Sequence, residues 1–261
     1  MSESQPRPWN LAEQSHALLR EQQWQVAVLP FGATEPHNLH MPYATDNYQL
    51  DVIGNKACEK AYNDGARVLL LPTIPFGVNT NHLMIPGGLA CNVTPTTLLT
   101  ILTDLVDSME RAGVRKMVLL NGHGGNELKP LIRELHHQTD VFLCVCDWFR
   151  MACDVYPEIF AEPGEHADEV ETSLGLAYFP ELVDLPRADD GAIRPTRFEA
   201  VNRGWISITR PFHLVSKNTG LGNPAQATAD KGRQLMDVLV ERLGSFLVEL
   251  ASAEMEEEFP F

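Results

Sequence analysis

Residues 35–46 read Glu-Pro-His-Asn-Leu-His-Met-Pro-Tyr-Ala-Thr-Asp, directly after the apolar run Val26-Ala27-Val28-Leu29-Pro30. One stretch thus carries Glu35, His37, His40 and Asp46. A second polar loop, Asn121-Gly122-His123-Gly124-Gly125-Asn126, follows the apolar run Met117-Val118-Leu119-Leu120. Carboxylates and imidazoles gathered at the ends of two buried strands suit borderline-hard divalent cations such as zinc or manganese. The leading expectation is therefore a metal-dependent hydrolase. Glu-x-His on extended backbone sends both side chains to one side, because the strand period is two. Asp46 lies nine residues beyond His37 and can fold back to bridge two ions. A shared carboxylate is a natural way to hold two cations about 3.5–4 Å apart.

Each residue alone has a plainer reading, as a surface-loop residue with turn or capping duties. For His123 the plainer reading is a strand-to-helix turn whose glycines permit left-handed backbone and close approach. A phosphate cradle is another option, but the segment lacks the Lys-Ser/Thr ending of a Walker loop. The third cluster is Glu165-His166-Ala167-Asp168-Glu169-Val170-Glu171-Thr172-Ser173. Asp168 and Glu169 read as helix-dipole partners at a helix start. His166 and Glu171 can project toward a cleft, His166 as proton donor and Glu171 as ligand or base. His40 is read either as a partner that orients a ligand carboxylate or as a hydrogen-bonding group within its loop. His82, His136, His137 and His213 belong to no motif and are read as structural. Trp148 is expected in the pocket wall or in the core.

The elements that must position these groups follow from periodicity. A helical pattern covers 9–22, with Asn10 as a possible cap, and strand 25–30 follows. Helix 47–63 leads to strand 67–71, and a long loop spans 72–94. Thr94-Pro95 opens a helix with a cap and a first-turn proline; it runs to Gly113 and into strand 115–120. Helix 126–138, strand 141–146 and a helix at 168–178 come next. Residues 180–220 are rich in Pro, Arg, Asp and Gly and read as an irregular excursion that covers the site or reaches a neighbouring subunit. A final helix is expected over 224–249, starting at Asn223-Pro224. Continuous apolar strands separated by helices indicate a parallel sheet covered on both faces. With strand order 2-1-3-4, the two polar loops meet at the switch point where such sheets bind ligands.

Composition narrows the function classes. The net charge of −15 argues against nucleic acid as a partner. No apolar stretch approaches the roughly 18 residues of a membrane span. The start Met-Ser-Glu-Ser-Gln-Pro-Arg-Pro lacks the features of a signal peptide, so the cytoplasm is the expected location. The five cysteines are odd in number and contain no Cys-x-x-Cys, against a disulfide framework or thiolate zinc site. Cys144 and Cys146 read as small buried hydrophobes. Part of the negative charge sits in the tail 254–261, read as a solvated, frayed end.

Three ordered motifs resemble the creatininase (creatinine amidohydrolase) family: Glu-x-His-x-x-His-x-Pro-x-x-Thr-Asp, Asn-Gly-His-Gly-Gly-Asn, and His-Ala-x-x-x-Glu-Thr-Ser. The resemblance spans about residues 25–175. It implies one domain over 1–261, a three-layer α/β/α sandwich with a mostly parallel sheet, a two-metal site and commonly a hexamer. Family members include creatinine hydrolases, a pyrimidine-nucleotide formamide hydrolase, a peptide-trimming enzyme and a ring-opening hydrolase of an oxidised inositol. The resemblance assigns Glu35, Asp46 and His123 to one metal and His37 with the bridging Asp46 to the other; His166 matches the catalytic histidine. True creatininases take a further glutamate two residues after the third-loop histidine, where this chain has Gly125. Glu171 is the candidate that completes that shell. Asn38 and Asp168 stand where many members have glycine.

The expected reaction is hydrolysis of a small cyclic amide or related carbonyl compound. Two divalent ions, zinc and/or manganese with iron possible, hold the attacking hydroxide between them, and His166 protonates the leaving group. The rival substrate is a cyclic keto-polyol cleaved at carbon–carbon, for which Asn38, Tyr43 and Asn79 would leave room. Two other classes compete: a non-catalytic metal-binding protein on the same fold, and nucleotide binding through Gly122–Gly125.

Overall fold

The computed structural model describes residues 6–261, so the leaderless start read above lies in part, at residues 1–5, outside the described residues. Four parallel strands, β1 (Val26–Phe31), β2 (Val68–Leu70), β3 (Lys116–Asn121) and β4 (Phe142–Asp147), form one sheet in the order β2-β1-β3-β4. The helices are α1 (His16–Leu19), α2 (Thr45–Asn63), α3 (Pro95–Arg111), α4 (Leu128–Leu135) and α5 (Trp148–Met151). They continue with α6 (Tyr156–Ile159), α7 (Glu169–Tyr178), α8 (Glu199–Asn202), α9 (Phe212–Val215) and α10 (Ala229–Ser252).

Alternation along β1 explains the layers. Val26 and Val28 pack into a core with α2, α7 and α10, whereas Ala27, Leu29 and Phe31 face α3 and α4. Successive strand residues point to opposite faces, so two apolar faces make two cores and a three-layer α/β/α sandwich. The expected fold class and strand order both hold. Lys116 adds a polar tie. Its buried ammonium donates to the carbonyls of Leu250 (2.7 Å) and Ala253, the last turn of α10. A cation is favoured there by the exposed carbonyls and the helix dipole.

Two helices differ from the sequence reading. The pattern over 9–22 breaks into a 3₁₀ turn, Leu11–Glu13, capped by Asn10, and α1, capped by Ser15. Gln14 is extended between them, because Ser15 takes the amide of Leu18 and restarts the helix. The last helix begins at Ala229, not at Asn223-Pro224. Thr228 caps it from Lys231, while Asn223 and Pro224 form a separate turn closed by the amides of Ala225 and Ala227.

Residues 180–220 hold only 3₁₀ turns and the one-turn helices α8 and α9, and they return to the site. Phe212 lines the active cavity, and Asp189 and Thr219 bond to Asn38. The tail is less frayed than expected, since Phe259 stacks edge-on against Phe142 at 4.9 Å. No described helix is long and apolar enough to cross a membrane. All five cysteines are free, and burial pushes the Cys144 and Cys146 thiols up to about 12.

Candidate metal centre

The site sits beyond the carboxyl ends of β1 and β3. β1 releases the loop carrying Glu35 and His37, and that loop turns back so that Asp46 occupies the first turn of α2. β3 ends in Asn121, whose amide stitches its own loop. It donates to the carbonyls of His123 (3.0 Å) and Asn126 (3.3 Å) and to Asp147 (2.8 Å), and it accepts from the His123 amide. Asn126 ties the loop outward, to the Val78 amide and the Gly32 carbonyl. None of the three glycines is left-handed, and Gly122 and Gly125, though not Gly124, serve close approach. A Cβ on Gly122 would stand 2.7 Å from Leu50, and one on Gly125 only 2.4 Å from both the Val78 carbonyl and His123 Nε2. No side chain, glutamate included, fits at 125 in this backbone.

The third cluster arrives on α7. Asp168 is its N-cap, accepting from the Glu171 amide at 3.0 Å, as expected. Glu169 sits in the first turn, as read, and is also buried and ion-paired with Lys231, because α10 packs over it. Ala167 sits at φ 48°, a left-handed conformation that costs a non-glycine residue about 1–2 kcal/mol. Its amide thereby reaches Glu171 Oε2 at 2.6 Å.

The inward atoms form one connected cluster. His123 Nδ1 lies 3.0 Å from Glu35 Oε1 and 3.3 Å from Asp46 Oδ2. His37 Nε2 lies 3.0 Å from Asp46 Oδ1 and 3.9 Å from Glu171 Oε2. The two oxygens of Asp46 thus face two different imidazoles. His166 Nδ1 stands 3.6 Å from Glu35 Oε1. Three groups have ligand atoms within 4.8 Å of one another: Glu35/Asp46/His123, His37/His166/Glu171 and Glu35/His82/His166.

Hydrogen bonds on the outer side of each ring fix what the inner side offers. His123 Nε2 bonds the Val78 carbonyl (3.1 Å), His37 Nδ1 the Glu35 carbonyl (3.0 Å) and His166 Nε2 the Pro36 carbonyl (2.9 Å). A carbonyl only accepts, so each outer nitrogen carries its hydrogen. Neutral rings would then turn lone pairs toward carboxylates, an arrangement only a cation can resolve. Both Glu35 oxygens and Asp46 Oδ2 are buried without a well-directed hydrogen-bond donor. The donor set therefore fits divalent metal. Outer-side partners of this kind are what orient histidine ligands.

Titration behaviour agrees. Burial opposes charge on His37, yet the Asp46 carboxylate outweighs it and raises the imidazole to about 10. His123 is likewise held well above its ordinary value, with burial overcome by Glu35 and Asp46. Burial also opposes charge on Glu35, but His123 and His166 hold it well below the usual carboxylate range. His166 is pushed down to about 4 by burial and by the nearby charge of His37. Glu171 is raised to about 8, chiefly by burial. Without metal, protons take the place of cations between these groups.

A cavity of ≈710 Å³ opens onto the cluster, with Trp148 and Phe212 among its walls. Trp148 satisfies both readings, being buried and cavity-lining. His40 satisfies neither of its two. Its Nε2 bonds Thr172 Oγ1 at 2.8 Å and pins the first loop to α7. His82 also departs from its structural assignment, since it joins the cluster with Nδ1 2.9 Å from Glu35 Oε2. Arg210 and Phe212, which line the cavity, were not legible as site residues. The one signal for His82 was the loop 72–94 itself, because loops so long are commonly functional.

A parallel sheet with carboxylates and imidazoles converging above its central strands defines an α/β protein with a metal-competent centre. Residues 12–247 match the family described as creatinine amidohydrolase, and the chain belongs to this creatininase family of hydrolases. It is 28% identical over 257 residues to the creatinine amidohydrolase of Pseudomonas putida, covering 90% of each chain. It is 26% identical over 247 residues to the 3-dehydro-scyllo-inosose hydrolase of Thermotoga maritima, covering 86% of this chain and 77% of that one. A solved Bacteroides fragilis structure, a candidate creatinine amidohydrolase, superposes with a TM-score of 0.90 at 34% identity, covering 96% and 99% of the two chains.

Proposed function

We propose that this hydrolase acts on a small cyclic amide or related carbonyl compound, with one divalent ion held by Glu35, Asp46 and His123 and a second by His37, Asp46 and Glu171. The observation that carries the reading is the set of outward-locked imidazoles around three donorless carboxylate oxygens, both of Glu35 and Oδ2 of Asp46. Zinc or manganese bound there would lower the pKa of a water toward neutrality and polarise the substrate carbonyl. Asp46 fixes the spacing of the two positions, because its oxygens point to different histidines. His166 has its Nε2 committed to Pro36, so Nδ1 is the atom that takes and returns a proton to the leaving group. Trp148 and Phe212 wall off water from the reacting carbonyl.

Creatinine is disfavoured as the substrate, since the space at Gly125 excludes a glutamate side chain. Hydrolysis at carbon–carbon in a cyclic keto-polyol stays as a second reading on the likeness to the Thermotoga maritima enzyme. The three residues offered for it point elsewhere. Asn38 bonds Asp189, the Asn79 side chain bonds the Cys91 carbonyl, and the Tyr43 hydroxyl accepts from Leu89. Nucleotide binding through Gly122–Gly125 loses its basis, because the Gly122 amide is spent on the Phe31 carbonyl and two carboxylates face the loop. Self-association belongs to the proposal too. Met84, Leu89 and Trp205 are each more than 60% exposed, and a homo-oligomer would cover such side chains.

The test is turnover of zinc- or manganese-loaded protein on a panel of cyclic amides, short peptides and cyclic keto-polyols. Hydrolysis of the amides, lost on chelation, is expected. Turnover confined to keto-polyols would move the assignment to the second reading.

A further inference from the structure

Glu35 has two oxygens in different surroundings. Oε1 faces His123 Nδ1 and, further off, His166 Nδ1. Oε2 faces His82 Nδ1 at 2.9 Å. His82 is buried and comes from a separate part of the chain, the 3₁₀ turn Thr80–His82. That turn is clamped: the His82 amide donates to the Asn79 carbonyl, the Asn79 amide to Asn92 Oδ1, and Asn79 Nδ2 to the Cys91 carbonyl. The ring is wedged against Phe212, with centroids 3.9 Å apart. The ring is thus held on two sides with Nδ1 beside one carboxylate oxygen, although neither atom makes a well-directed hydrogen bond there.

We propose that His82 is a positioning residue: with metal bound, Glu35 would settle with Oε2 on His82 Nδ1–H, 2.9 Å away, leaving Oε1 as the single oxygen offered to the metal shared with Asp46 and His123. The inference rests on the metal reading above. A carboxylate without such a neighbour can rotate and present either oxygen, or both; a clamped donor 2.9 Å from Oε2 limits that choice. Groups that orient ligands in this way commonly change metal affinity by about 10–100-fold.

The test compares zinc stoichiometry and affinity, by chelator competition, in wild type, His82→Asn and His82→Leu. Asparagine keeps an N–H at the place of Nδ1, and leucine keeps bulk without a donor. Wild type and His82→Asn should each bind about two equivalents with affinities within a few-fold, while His82→Leu should bind the tighter ion about 10–100-fold more weakly. If the leucine variant does not fold, His82→Gln gives the same contrast, because its amide reaches the Nε2 position instead. Unchanged affinity in His82→Leu would overturn the proposal. So would equal weakening in His82→Asn and His82→Leu, which would make His82 a packing residue. A third equivalent in wild type that disappears in His82→Leu would make it a ligand of the Glu35/His82/His166 group and would overturn it too. Wild type that takes up no metal would instead remove the metal reading, and this inference with it.

Discussion

The two corners of the proposed metal centre are built on different foundations. Glu35, Asp46 and His123 come from the ends of β1 and β3 and the first turn of α2, and their contacts run from 3.0 to 3.3 Å. The sheet brings them together, because β1 and β3 are hydrogen-bonded neighbours from Ala27 to Phe31. The other corner borrows Glu171 from α7, and His37 is 3.9 Å from it. Its geometry depends on how α7 docks against α2 and α10, on the strained Ala167, and on the Asp168 cap. The third loop offers this corner no glutamate, because a Cβ at Gly125 would already press on the Val78 carbonyl. A site fixed by a sheet and a site fixed by a docked helix should not hold metal equally well. The first corner is expected to fill first and empty last.

Four changes can break or sharpen this contrast. The largest effect is expected from His166→Ala, which should lower kcat by about 10²–10⁴-fold and leave metal content intact. Loss of metal together with rate would move His166 from proton carrier to ligand. Glu171→Gln should weaken only the second ion, by at least the roughly 10–100-fold that outer partners carry. Equal loss from both corners, read by chelator titration, would erase the distinction drawn here.

Gly125→Ala is predicted to destabilise the fold by about 1–3 kcal/mol, as overpacking does. It should also weaken the first corner by displacing the His123 ring, measurable by denaturant unfolding with and without zinc. Normal stability and affinity would show that the third loop yields easily.

The smallest effect is the pH dependence. His37 has its folded value raised from 6.5 to about 10, so its stabilising contribution to the metal-free protein is complete below about 6.5. It fades as pH rises through about 10. Metal must displace that proton, so zinc affinity should rise over the same window and binding should release protons. Calorimetry in buffers of different ionisation enthalpy checks this; pH-independent affinity between 6.5 and 9 would contradict it.

The strands and their order were legible because β1 and β3 are buried on both faces and therefore read as unbroken apolar runs. The ligand candidates of the first two loops were legible because they follow those strands directly. His82 was not, since its partnership with Glu35 joins positions 47 residues apart through a loop without periodicity. Phe212 and Arg210 were hidden for the same reason, within an excursion whose path no local pattern sets. Glu169 was legible only by half: its place at a helix start follows from the local pattern, whereas its tertiary partner Lys231 lies on α10, where sequence cannot reveal it. Ser15 and Thr228 show a narrower limit: a cap can interrupt or delay a helix whose hydrophobic pattern continues past it.

The central claim is that Asp46 joins two metal positions. Its most direct test is elemental metal content per chain, on protein purified without chelator and on protein reconstituted with zinc or manganese, for wild type and Asp46→Ala. About two equivalents in wild type, falling toward none in the variant, is the predicted result. One equivalent or none in reconstituted wild type, or two equivalents that survive in Asp46→Ala, would contradict the bridged centre.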